Sequence, residues 1–198
     1  MADSKDIQQA AASLTQEQIL EKIKSQFKDS VTTVLSPDSS KGSGQAHVIV
    51  SRESILEVLS FLRDDPELDF KLLSDVTAVD HLYLELPEIP ERYAVVYQLT
   101  SFSKGHRIRL KAPVPEDDPK IPSACKLWKA ALWGEREAHD MYGIKFEGNP
   151  DLRRLLMPAN YDGFPLRKDY PLRGRGERES FTQVRGSNAI TDSTDSTG

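Results

Sequence analysis

From Gly143 onward the chain is punctuated by Gly148, Pro150, Pro158, Gly163, Pro165, Pro171, Gly174 and Gly176. Proline lacks a backbone N–H and holds φ fixed, so it disrupts a helix interior and is excluded from a central strand. No long helix or central strand fits this stretch, which reads as an extended arm. The same stretch carries Leu152, Leu155, Leu156, Met157, Tyr161, Phe164, Leu166 and Tyr170. Disordered segments are poor in such residues, so these side chains need a surface, either of their own domain or of a partner. Arginine beside apolar and aromatic anchors, as at Arg153, Arg154 and Arg167, is the composition of interface hot spots. A long loop without regular structure is usually functional or disordered, and docking to a partner is the expectation here.

Upstream, the pattern is that of a folded body. Thr15-Gln-Glu-Gln18 reads as a capping box, and Leu20, Ile23 and Phe27 follow at helical spacing. Residues 31–35 and 46–50 are β-branched runs joined by a turn-rich segment, which predicts two paired strands. Its glycines do not form a phosphate-binding pattern. Ser51 is placed to cap a second helix whose Ile55, Val58, Leu59 and Leu62 share one face. Residues 70–79, 93–100 and 107–111 then read as strands, the last two flanking Lys104-Gly105 as a hairpin. Pro113 opens a proline-rich connector. From Ser123, the steps Leu127, Ala131, Gly134, Ala138 and Met141 predict a helix that Gly134 weakens or bends.

This order predicts an α+β fold, a mixed or antiparallel sheet with helices on one face, followed by a helix and a long extended C-terminal arm. The expected organisation is a flexible N-terminus over 1–14, an α+β domain over 15–145, an arm over 146–185 and a disordered tail over 186–198. With 198 residues the chain is one folded unit rather than two. No apolar run reaches bilayer length, and the N-terminus lacks a secretory pattern, which predicts a cytoplasmic location. The net charge is −5, yet residues 151–185 hold 8 Lys/Arg against 5 Asp/Glu, so the arm's end is expected to meet an acidic surface.

A single cysteine, Cys125, excludes a disulfide framework and a self-contained iron–sulfur site. The cluster Glu135-Arg136-Glu137-Ala138-His139-Asp140 admits three readings: acid–base catalysis, a hard metal site, or ion pairing at an interface. Interface pairing is favoured, because catalysis or metal binding needs further converging groups. Arg173-Gly-Arg-Gly-Glu-Arg178 looks like an Arg/Gly fragment, but it is short, interspersed with glutamate and without a stacking platform, so no nucleic-acid partner is expected.

Three blocks carry a resemblance: Glu135-Arg-Glu-Ala-His-Asp-Met-Tyr-Gly-Ile144, Pro150-Asp-Leu-Arg-Arg-Leu-Leu156 and Pro165-Leu-Arg-Lys-Asp-Tyr170, with Asp75-Val-Thr-Ala-Val-Asp80 upstream. In order and spacing they resemble the 30 kDa (C) subunit of respiratory complex I, NADH:quinone oxidoreductase. The chain departs at Asn149, where that family usually has histidine or lysine. The resemblance implies a non-catalytic subunit of the peripheral arm, on the cytoplasmic side of the inner membrane and attached to it only through the complex. FMN and the iron–sulfur clusters would belong to partner subunits, and the chain would pack on the 49 kDa-type (D) subunit and other peripheral-arm subunits. Glu135, Arg136, Glu137, Asp140, Met141, Tyr142 and Gly143, with Arg153, Arg154, Pro165, Leu166, Arg167, Lys168, Asp169 and Tyr170, would be docking residues. Equivalent subunits of membrane-bound nickel–iron hydrogenases and of ferredoxin- or F420-linked complexes carry a similar module, so the electron donor stays open at this stage.

Overall fold

The structure, a computed structural model, describes residues 14–28, 30–35, 47–84 and 86–176. The expected N-terminal lead-in up to residue 13, the loop over 36–46 between the first two strands, the end of the expected arm over 177–185 with the last two residues of the Arg/Gly fragment, and the expected tail over 186–198 lie outside the described residues. Thr15 forms the capping box of helix α1 (Gln16–Gln26): its hydroxyl accepts from the Gln18 amide, while the Gln18 side chain accepts from the Thr15 amide. Ile19, Leu20 and Ile23 are buried, and Phe27 closes the helix with its ring edge-on to Phe61. Strands β1 (Val31–Leu35) and β2 (His47–Val50) pair antiparallel.

Helix α2 (Ile55–Asp64) buries all four anticipated side chains, Ile55, Val58, Leu59 and Leu62. Each contributes about 1.5–3 kcal/mol by leaving water. Its start corrects the expected cap. Ser54, not Ser51, occupies the position, and it makes no side-chain cap. Ser51 donates its amide to the Ser30 carbonyl and accepts from the Ser54 amide, so it closes the preceding turn instead.

Strands β3 (Leu72–Asp80), β4 (Tyr93–Ser101) and β5 (His106–Val114) complete a five-stranded mixed sheet in the order β1-β2-β5-β4-β3, with β2 parallel to β5 and the other neighbours antiparallel. Alternation along β4 and β5 points Tyr93, Val95, Tyr97, Leu99, Ile108 and Leu110 into the core shared with α1 and α2. The last strand of the sheet runs past its expected end at Lys111 into the proline-rich connector. Pro113 is inside β5 opposite Ala94, beyond the end of the β2 pairing, where no neighbour requires its missing N–H. The connector ends in β6 (Lys120–Pro122), which pairs parallel with β7 (Lys145–Glu147).

The predicted helix from Ser123 is broken in two. Ser123 caps a 3-10 turn (Ala124–Lys126), and helix α3 (Ala131–Tyr142) begins several residues later. The Ala124 amide donates to the Glu135 carboxylate at 2.7 Å. A continuous helix would hold these residues about 16 Å apart, so that contact requires the break. Gly134 also has a different role from the one anticipated. A Cβ there would lie 2.6 Å from the Val76 carbonyl oxygen and 3.0 Å from the Val76 Cβ, so the missing side chain lets α3 lie directly on β3. Because β3 is an edge strand, this contact also covers backbone that would otherwise be open to pairing. Gly134→Ala should therefore destabilise the chain by about 1–3 kcal/mol, although alanine favours helix by about 1 kcal/mol. Denaturant unfolding would show it, and an unchanged or higher midpoint would disprove the close-packing role.

Candidate functional site

Helix α3 ends at Gly143, whose left-handed conformation (φ 82°) turns the chain back toward the sheet. The side chain of Asp140, in the last turn, is fully buried. Its carboxylate accepts from Arg154 Nη1 at 2.6 Å and from the amides of Leu155, Leu156 and Met157 at 3.0, 2.7 and 2.9 Å. Burial alone would raise its pKa; the Met157 amide, Arg154 and the other two amides outweigh this and hold it below the ordinary carboxylate value. Arg154 continues the clasp by donating to the Gly163 carbonyl, and its guanidinium lies 5.5 Å from the Phe164 ring.

A second clasp forms at the end of β3. Asp80, also with a fully buried side chain, accepts from both Nε and Nη2 of Arg92 and from the amides of Leu82 and Lys168. Burial works against its ionised form, and Arg92 together with the Lys168 and Leu82 amides reverses the effect, so its pKa is also lowered. Arg92 reaches Asp169 at 2.6 Å and bonds Glu116 as well. Between the clasps, Arg167 donates to the Tyr142 carbonyl at 2.7 Å and stacks 4.3 Å from the Phe164 ring centroid. A Cβ at Gly143 would meet Arg167 and Phe164 at under 3 Å, so glycine is required here by the arm as well as by the turn.

Arg136 does not make the i,i+4 pair with Asp140 that the helix spacing offers; it donates to the carbonyls of Arg153 and Arg154. The Leu166 amide donates to the Met141 carbonyl, and the Tyr161 and Tyr170 hydroxyls bond at 2.6 Å. Arg153 is exposed and pairs with Asp151 beside it. Pro165 is half-buried, and Leu166, Lys168 and Asp169 are exposed.

Glu135 is buried and belongs to a separate cluster. It accepts from Ser123 Oγ at 2.6 Å, the Ala124 amide, Asn149 Nδ2 at 2.8 Å and Cys125 Sγ at 3.3 Å. Asn149, the departure from the resembled family, thus supplies a neutral donor that ties the start of the arm to α3. Burial pushes the Cys125 thiol up to about 11, with Glu135 adding to the shift, so the thiolate is scarce near neutrality. Glu137 is exposed on another side of the helix, and His139 Nδ1 is engaged with the Ile144 carbonyl at 2.9 Å. The three groups of the acid–base reading do not converge. Among the described residues, no group of three or more His, Cys, Asp or Glu is placed to hold a metal ion.

Two residues of the clasp, Asp80 and Arg92, were not singled out as site residues by sequence. Asp80 ends the Asp75-Val-Thr-Ala-Val-Asp80 block and was detectable there. Arg92 sits in a loop with no distinguishing pattern.

Residues 48–176, which contain both clasps, match the family described as respiratory-chain NADH dehydrogenase, 30 Kd subunit. The chain belongs to that family. The C subunit of the NADH-quinone oxidoreductase of Citrifermentans bemidjiense is 49% identical over 73% of this chain and 84% of its own length. The corresponding protein of Trichlorobacter lovleyi is 44% identical over 82% and 93%. A solved trypsin-resistant fragment (1–134) of Nqo5 is 33% identical, with a TM-score of 0.58, over 69% of this chain and 98% of the fragment. A chain of an archaeal membrane-bound sulfane sulfur reductase, at 21% identity and a TM-score of 0.63, shares the fold. The α+β architecture anticipated from sequence is thus that of the 30 kDa subunit family. In line with the lack of a bilayer-length apolar run, no described helix is long and apolar enough to cross a membrane.

Asp140→Asn removes the charge from a buried pair and should cost about 3 kcal/mol. Hydrogen exchange at the Leu155, Leu156 and Met157 amides should then accelerate about a hundredfold; unchanged protection would show that the clasp does not hold the arm. Asp140 and Asp80 both have folded pKa values below the ordinary aspartate value of about 3.9. Their contribution is therefore present above that value and lost as pH falls through the depressed folded values. Protection of the same amides should stay level from neutrality down to about pH 4 and decline below it, and a decline centred near pH 6 would contradict this origin.

Proposed function

We propose that the chain is a structural subunit of the peripheral arm of a proton-translocating NADH:quinone oxidoreductase, itself non-catalytic and without a redox centre. In this reading the segment after Gly143 docks on the 49 kDa-type (D) subunit. Electrons pass from NADH through the FMN and iron–sulfur centres of other subunits to quinone, on the cytoplasmic side of the membrane. The signature residues Glu135, Arg136 and Asp140, with Arg154, Arg167 and Asp169, set the shape of the docking segment rather than transferring electrons. The names of relatives at 44–49% identity support the NADH-linked reading over a hydrogenase-linked one.

One observation carries the docking role. The backbone of the arm is fastened by two buried carboxylates, yet no residue from 151 to 176 is itself buried. Leu156, Leu166 and Leu172 are 58%, 48% and 104% exposed. Polar clasps thus fix the arm while these three leucines remain toward solvent and Leu152 packs on the core, the arrangement of a preorganised docking element that loses little entropy on association.

Truncation after Asn149 keeps β7 and the Glu135 cluster and should leave a folded sheet domain that no longer enters the complex. Because truncation also uncovers Asp140, the surface variant Leu156→Ser/Leu166→Ser/Leu172→Ser is the sharper test. It should retain the amide protection of residues 155–157 and reduce co-purification of the other subunits by about tenfold or more. Full incorporation of that variant would refute docking through the arm. The isolated full chain is expected to show neither flavin absorbance nor a stoichiometric metal, and either signal would overturn the non-catalytic assignment.

A further inference from the structure

The loop between β3 and β4 presents Leu82, Tyr83 and Leu84 in succession, 39%, 74% and 57% exposed. Three adjacent apolar side chains facing water are unusual outside an interaction site. The loop is nevertheless well held. Asp80 accepts from the Leu82 amide, the His81 amide donates to the Arg92 carbonyl at 2.7 Å, and Ile89 is buried against Ile49 and Ala94. The loop surrounds a cavity of about 420 Å³ with Leu82, Leu84, Leu86 and Ile89 among its walls. His81 Nδ1 and Glu91 Oε2, on two further lining residues, are buried without a hydrogen-bond partner among the described residues.

Resting on the docking role proposed above, we propose that this cavity belongs to the same interface as the arm and takes an apolar anchor of a neighbouring protein subunit, flanked there by lysine or arginine. Continuity comes from Asp80 and Arg92. The carboxylate that holds the Leu82 amide also holds the Lys168 amide, and the guanidinium lining the cavity also binds Asp169. The loop and the arm are therefore two parts of one fixed surface. The charge of the partner follows from the rim. Glu91, whose buried Oε2 lacks a hydrogen-bond partner among the described residues, and Glu116, bonded to Arg92, line the cavity. Glu88 and Asp117, next to lining residues in the chain, are exposed, Glu88 within electrostatic reach of Lys111. A second copy of this chain related by a twofold axis would bring two acidic rims together. Anionic lipid would meet the same repulsion. A basic-flanked apolar segment satisfies both the walls and the rim.

The test uses the full chain in the assembled complex, with a photoreactive benzoylphenylalanine replacing Tyr83. Crosslinking should reach another subunit at a segment where an apolar residue is flanked by lysine or arginine. Leu84→Asp, and separately Glu88→Lys/Asp117→Lys, should each reduce co-purification of that subunit about tenfold or more, with the melting temperature of the full chain unchanged. Crosslinks confined to a second copy or to lipid, no crosslink at all, or normal co-purification of both variants would overturn the proposal. If these occur while Leu156→Ser/Leu166→Ser/Leu172→Ser still blocks assembly, the cavity assignment fails and arm docking stands. If that arm variant assembles normally, the docking role itself fails.

Discussion

Taking a carboxylate out of water costs several kcal/mol unless its oxygens are compensated by hydrogen bonds or a paired cation. At Asp140 the compensation comes largely from a segment that begins more than ten residues later, through Arg154 and three consecutive amides. The arm cannot leave without stranding that charge, and the charge cannot be buried without the arm. The same logic operates at Asp80, where Arg92, the Leu82 amide and the Lys168 amide converge. Two short acidic side chains thereby impose a single path on a proline-rich segment that makes few backbone hydrogen bonds of its own.

The placement of α3 makes this possible. Gly134 brings the helix onto β3 without an intervening side chain, and Glu135, one residue on, gathers Ser123, Ala124 and Asn149 around a buried carboxylate. The helix end is then aimed so that Asp140 and Gly143 meet the returning arm. Compact packing between helix and sheet and polar fastening of the arm are successive steps of one construction. They leave apolar side chains of the arm and of the loop after β3 facing outward, which is where an assembly surface would be found.

The body of the fold was legible because its signals are local. The capping box at Thr15, the four-residue stripe of α2 and the alternation in β4 and β5 each follow from the geometry of a helix or a strand, independent of what lies across the molecule. Local pattern failed where distant contacts intervened. Ser51 looked like a cap, but the chain turn needed its amide and carbonyl. The steps from Leu127 to Met141 looked like one helix, but Glu135 binds the Ala124 amide and a continuous helix would keep the two apart. Gly134 looked like a weak point, whereas it is a contact point with Val76.

By itself, the sequence determined the element order, the α+β class and the family, and it determined that the stretch after Gly143 could hold neither a long helix nor a central strand, since proline acts on its own backbone. The family resemblance also put Asp140, Arg154 and Arg167 among the expected docking residues, without saying which of them meet. Only the tertiary structure decided which groups they meet. The i,i+4 partners offered by the helix were bypassed, Asp140 turned to Arg154 rather than Arg136, and Arg92 joined the site with no motif to announce it. The physical reason is that a buried carboxylate takes whatever donors the packed chain brings within about 3 Å, and proximity of that kind depends on the whole fold.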